Sequence, residues 1–278
     1  MNKIGILQGR LTPSNGRGIQ FFPFEEWREE FRLAREIGID EIEFIFDLER
    51  YEENPLWSPE GVAEINDLQR KFGVEINSIC ADFFMRRPFF RTDKIIQHES
   101  IEILKKLIKI SRGGKAGSVE IPILGNASLK TPAEQKTLIA SLKKCLPIAE
   151  ECNVMLAIES DLPPSDLLNL VQAFNHPLVK VVYDSGNSAM FGFDPYEEVI
   201  TLKSYISNIH IKDGRLAGST VALGTGDANF DRLFQGLKEI NYAGSFILQA
   251  ARGEENKETE TIKNQKQFVE RYITEYLK

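Results

Sequence analysis

Four residues able to bind a metal ion stand at the ends of four short apolar runs in the second half of the chain. They are Glu159 after Leu156-Ala157-Ile158, Asp184 after Val181-Val182-Tyr183, His210 after Asn208-Ile209, and Gln249 after Phe246-Ile247-Leu248. Two carboxylates, one imidazole and one amide carbonyl form a donor set suited to a divalent cation. The residues lie roughly 25 to 40 positions apart, which leaves room for one helix and two loops in each interval. Short runs of branched and aromatic residues closed by turn formers or charge read as buried parallel strands. If the four runs are consecutive strands of one barrel, their polar ends meet at its C-terminal mouth, where barrel enzymes place their chemistry.

Bringing those ends together requires strands that alternate with helices along the chain, and the pattern is consistent with that. Earlier strands are expected at 4–8, 41–46, 74–80 and 118–124. Helices are expected at 23–37, 58–72, 93–110, 131–152, 165–174, 195–205, 229–240 and 258–277. Ser58-Pro59-Glu60 reads as a cap and first turn, and Thr131-Pro132-Ala133-Glu134 as a capping box. An open doubly wound sheet also alternates strand and helix, but it usually carries a glycine-rich phosphate turn after its first strand. Here that segment is Gln8-Gly9-Arg10-Leu11-Thr12-Pro13. The expectation is therefore an α/β protein, a single-domain (β/α)8 TIM barrel spanning residues 1–278.

Composition narrows the function classes. The formal net charge is −7, with 34 basic and 41 acidic residues, which argues against a nucleic-acid partner. Apolar stretches are strand-length and broken by charge, so no membrane span is expected. Cys80, Cys145 and Cys152 are widely spaced, and Met1–Gln8 passes directly into a strand without a secretory signal, so a cytoplasmic location is expected.

Strand periodicity adds further candidates at the mouth. His210 and Lys212 fall on one face, so Lys212 is expected to act as a base of depressed pKa, to polarise a carbonyl, or to pair with Asp213 at the rim. Glu43 and Glu120 alternate with helix-facing apolar residues and so point inward, and Asp82 follows the third strand. Arg10, Arg215 and Arg252 near strand ends suggest a phosphorylated or acidic substrate. The loop 82–91 sets three arginines among four phenylalanines, as a lid, a subunit contact or a packed Ω-loop with solvated arginines would. Together with Phe21-Phe22-Pro23-Phe24 it presents aromatic surface that predicts a homodimer or larger homo-oligomer.

The pieces Asp184-Ser185-Gly186-Asn187, His210-Ile211-Lys212-Asp213, Leu223-Gly224-Thr225-Gly226 and Glu159, together with Gln8-Gly9-Arg10-Leu11, resemble the xylose isomerase-like barrels. That family includes sugar and sugar-phosphate isomerases and epimerases, inosose dehydratase and endonuclease IV. The resemblance implies metal ligation by Glu159, Asp184 and His210, with a fourth ligand at the end of the eighth strand. Apart from that resemblance, Gln8, Arg10, Glu43, Asp82, Glu120, Asn187, Arg215 and Arg252 are expected as substrate contacts from their inward or strand-end positions, with a structural salt bridge as the alternative for the buried acids. Family members carry a glutamate at the fourth position, where this chain has Gln249.

An amide can still ligate through its carbonyl oxygen, but it cannot accept and return a proton at physiological pH. The two-glutamate proton exchange of related epimerases is therefore not expected in that form. A single divalent cation is expected, with Mn²⁺, Mg²⁺ or Co²⁺ favoured over Zn²⁺ by the oxygen-rich donors. The leading expectation is a metal-dependent sugar or sugar-phosphate isomerase or epimerase with Glu159 moving the proton. A lyase resembling inosose dehydratase and a non-catalytic sugar-binding barrel are the alternatives. DNA repair is disfavoured because the chain has only His98, His176 and His210.

Overall fold

Eight parallel strands pair in sequence order, and the last closes on the first. In the computed structural model, which describes Asn2 to Lys278, they are β1 (Ile4–Leu7), β2 (Glu41–Ile45), β3 (Ser78–Cys80), β4 (Ser118–Ile123), β5 (Met155–Ser160), β6 (Val179–Asp184), β7 (Ile206–Ile211) and β8 (Ser245–Leu248). Helices pack around the barrel, giving the expected (β/α)8 architecture in one domain. Register carries the site. Asp184 of β6 lies directly beside His210 of β7, and Glu159 of β5 lies beside Pro122 of β4. No helix among the described residues is long and apolar enough to cross a membrane.

The helices form where apolar spacing and caps coincide. In Trp27–Glu36 the buried residues Trp27, Phe31 and Ala34 recur at helical spacing. Ser58 caps Pro59–Phe72 through Gly61 N–H, and the Thr131–Glu134 capping box is complete. The expected helix 131–152 is two helices, Pro132–Lys143 and Leu146–Cys152. Pro147 lacks the N–H that would bond back to Lys143, and its ring would crowd that carbonyl. The third strand is shorter than expected, because 74–77 contributes only an isolated bridge between Glu75 and Glu41. Two short helices were not foreseen: Phe83–Arg86 after β3 and Ser185–Phe191 directly after β6.

The aromatic loops turn inward. Phe83, Phe84, Phe89 and Phe90 are all buried in the core, as are Phe21 and Phe22. Phe46, Tyr51, Trp57 and Phe83 form one edge-and-tilt aromatic cluster over the ends of β2 and β3. The exposed aromatic surface that suggested self-association is therefore satisfied within one chain.

The long loop after β1 is clamped from two sides. The buried Glu30 carboxylate accepts the N–H groups of Gly9 and Leu11 at 3.0 and 3.1 Å. Arg252 donates to the carbonyls of Gly9, Thr12 and Ile19, and its guanidinium lies over the Phe21 ring. Gly9 has a φ of +82°, and a Cβ there would meet the Phe21 carbonyl at 2.7 Å. Arg252→Ala strips three carbonyls of their donor and is expected to cost about 2 kcal/mol, allowing for partial exposure. Arg252→Lys should recover little of it, since one ammonium cannot match the fork of a guanidinium. Denaturant midpoints would check this, and a change below about 0.5 kcal/mol would show the loop to be held by other means.

Candidate active site

Strand alternation and register bring the four predicted metal ligands to one end of the barrel. Glu159, Asp184 and His210 are buried, with one ligand atom from each lying within 4.8 Å of the other two. Asp184 has two duties. Its Oδ1 accepts Asn187 N–H at 2.7 Å, capping helix Ser185–Phe191, while Oδ2 lies 4.0 Å from His210 Nδ1. His210 is fully buried, and its Nε2 contacts Glu43 Oε2 at 2.7 Å. Its Nδ1 has no protein partner, and neither does the buried carbonyl oxygen of Gln249.

A second acid group, Glu43 with Glu120, also surrounds His210. Glu43 is saturated: Ser78 Oγ donates at 2.6 Å and Asn208 Nδ2 at 3.1 Å, in addition to the imidazole. No ion fits within that 2.7 Å contact. Glu43 is thus the carboxylate that orients His210, and the hydrogen bond at Nε2 leaves Nδ1 as the nitrogen on which a cation would replace a proton. Four carboxylates here face one ammonium, that of Lys212. Two orphaned acceptors inside an excess of buried negative charge fit a divalent cation held by Glu159, Asp184, His210 and the Gln249 carbonyl.

Titration follows the same charge. Burial, then Glu120 and Asp184, hold the Glu159 carboxyl well above its ordinary range. Burial likewise raises Glu120. Burial acts to lower His210, but Glu43 and Glu120 outweigh it and raise the imidazole. Lys212 also ends raised, because Asp184 and Glu159 overcome its burial. The lysine is therefore a fixed cation, contrary to the expected depressed base. It donates to Asp184 Oδ2 at 3.0 Å and Asn187 Oδ1 at 2.8 Å. Asn187 in turn donates to Glu159 Oε1 at 2.8 Å. The alternative partner, Asp213, is occupied with the backbone N–H groups of Gly214, Gly224, Gly226 and Ala228.

A cavity of about 700 Å³ adjoins this cluster, lined by Glu159, Asn187, Lys212, Gln249, Gln20 and Asp82 among others. Of the remaining expected substrate contacts, Gln8 holds the Ile45 N–H through Oε1 and Arg10 is buried behind Gln249, donating to its backbone carbonyl at 3.2 Å. Burial lowers Arg10 to about 9, still cationic at neutral pH. Arg215 is exposed and pairs with Asp227, and Arg252 is spent on backbone carbonyls, so neither faces the cavity. In the loop after β3, Arg86 pairs with Asp47 and Arg91 with Glu134. Sequence reasoning missed Gln20, which donates to Asp82 and accepts from Gln249 at 3.3 Å. Its only signal was its place in a loop on the C-terminal face.

The sequence model of the xylose isomerase-like TIM barrel family matches residues 31–272. The chain is 27% identical over 239 residues to L-ribulose-5-phosphate 3-epimerase of Salmonella typhimurium, covering 81% of this chain and 82% of that protein. Among solved structures, an L-ribulose 3-epimerase superposes with a TM-score of 0.80 at 16% identity, over 99% of this chain and 96% of that one. The IOLI protein, solved with a bound zinc atom, superposes with a TM-score of 0.79 at 19% identity, over 99% of both chains.

Because Glu159 is raised, its protonated form favours the metal-free fold at low pH, and that contribution is lost as pH rises through the raised value. A cation must displace the proton and restores stability above it. Mn²⁺ is therefore expected to raise Tm more at pH 8 than at pH 6, with proton release seen by calorimetry in two buffers. Equal shifts at both pH values, or an undiminished shift in His210→Ala, would count against the ligand set.

Proposed function

Because the chain belongs to the xylose isomerase-like TIM barrel family, we propose that it is a divalent-cation-dependent epimerase or isomerase of a ketose or ketose phosphate. The observation that carries this reading is the clustering of Glu159, Asp184 and His210 beside two unpartnered acceptors and a cavity of about 700 Å³. The named activities of the ribulose-phosphate and ribulose epimerases support the substrate class. Oxygen-rich donors with one imidazole favour Mn²⁺, Mg²⁺ or Co²⁺. Free Cys80, Cys145 and Cys152 suit a reducing compartment, so we place the enzyme in the cytoplasm.

Glu159 serves as the base that removes hydrogen from the carbon beside the sugar carbonyl. The Lys212 ammonium and the Asn187 amide hold it in place and offer positive charge where an oxyanion develops. When bound, the cation would polarise vicinal oxygens of the sugar. Glu43 fixes the tautomer of His210 and is a positioning residue.

With Mn²⁺ in D₂O, L-ribulose 5-phosphate or L-ribulose should gain deuterium beside the ketone and yield an epimer or aldose, followed by NMR. Glu159→Gln should slow this exchange by at least about 10³-fold. Absence of label from both sugars with wild-type enzyme would sink the assignment. Gln249→Glu adds a negative charge beside the cation and should tighten Mn²⁺ binding by about tenfold, or about 1.4 kcal/mol, in a spin-resonance titration. Weaker binding in that variant would remove residue 249 from the ligand set.

A further inference from the structure

Inverting one carbon requires one group to remove a hydrogen and another to return one on the other face. Glu159 supplies the first, and Gln249, an amide, cannot supply the second. Besides Glu159, the cavity is lined by the carboxyls of Glu25, Asp47, Glu49 and Asp82. Glu25 and Glu49 are exposed to solvent, and Asp47 is paired with Arg86 at 2.6 Å. Asp82 differs from all three. It follows β3 at the catalytic end of the barrel, half-buried on the cavity wall, and both of its side-chain partners are neutral.

Those partners tie it to the site. Gln20 donates its amide N–H to Asp82 Oδ2 while its carbonyl accepts from Gln249 Nε2 at 3.3 Å. Asp82, Gln20 and Gln249 thus form one hydrogen-bonded chain along the cavity. On the other oxygen, Cys80 Sγ lies 3.6 Å from Asp82 Oδ1 and 3.5 Å from Glu120 Oε1, so a single S–H is shared between two acids. Burial keeps that thiol protonated.

We propose that Asp82 is the second proton-transfer residue of this site, serving the face of the substrate carbon that Glu159 does not serve. This rests on the epimerase reading above. Burial pushes the Asp82 carboxyl up to about 7, so near neutral pH it can both hold a proton and release one. In one direction the Glu159 carboxylate takes the proton, the C–H electron pair forms the enolate C=C bond, and the carbonyl π pair moves onto oxygen. The protonated Asp82 then gives its proton to the other face of the same carbon. The C=C pair forms the new C–H bond, the carbonyl re-forms, and the O–H pair stays on Asp82 as carboxylate. Glu159 ends protonated and Asp82 ionised, and exchange with water in the cavity resets both. The reverse reaction exchanges their roles.

The test uses the Mn²⁺-loaded full chain with L-ribulose 5-phosphate and L-ribulose in D₂O. Asp82→Asn should lose interconversion of epimers by at least about 100-fold. It should still wash deuterium into one epimer only, because Glu159 remains to exchange that face. Asp82→Glu, which keeps a carboxyl, should recover part of the interconversion, and the ¹³C-carboxyl resonance absent from Asp82→Asn should titrate near neutral pH in the wild type. Interconversion by Asp82→Asn within threefold of wild type overturns the role of Asp82 and leaves the epimerase reading standing. So does loss of exchange at both faces together with no recovery in Asp82→Glu, or a titration in the ordinary aspartate range. A wild type that exchanges no hydrogen on either sugar overturns both.

Discussion

Excess negative charge buried at the mouth of the barrel is the constraint around which the rest of the structure is arranged. Glu43, Glu120, Glu159 and Asp184 crowd about His210, and burying each ion costs several kcal/mol unless charge or hydrogen bonds offset it. Neighbouring side chains serve that need. Ser78 and Asn208 saturate Glu43, Asn187 donates to Glu159, and Lys212 brings an ammonium to Asp184. Gly186 belongs to the same arrangement, because a Cβ there would meet Lys212 Cγ at 2.4 Å and push the lysine stem aside. His210 Nδ1 and the Gln249 carbonyl oxygen remain without a partner among them, and such atoms are what a cation takes.

The loops on that face are held by polar side chains used as scaffolding. Glu30 and Arg252 grip the backbone after β1 from opposite sides, and this fixes the segment that carries Gln20. Asp213 gathers four backbone N–H groups and shapes the loop after β7. A Cβ on Gly226 would fall 2.0 Å from Asp213 Oδ1, so the nest closes only around a glycine. These residues do for the loops what strand pairing does for the barrel.

The barrel and most of its inward-facing polar residues were legible because strands repeat every two residues. Glu43, Glu120 and His210 each alternate with buried apolar neighbours and all point inward. Arginines in loops obey no such period. Arg215 and Arg252 stand near strand ends as Arg10 does, yet one is exposed, one is bound to backbone and one is buried. The phenylalanines at 83–90 could be read as a contact surface or a packed loop for the same reason: charge and aromatic content do not reveal that a short helix folds the rings under the arginines.

By itself the sequence determined the barrel, the strand ends that meet, and the departure at Gln249, because periodicity, caps and residue chemistry are local properties. Only the tertiary structure decided which nitrogen of His210 is free, that Lys212 is a cation beside Asp184, and that Asp82 joins Gln249 through Gln20. Those assignments join loops and strands far apart in the chain, and the charge each group carries is set by neighbours that no sequence interval specifies.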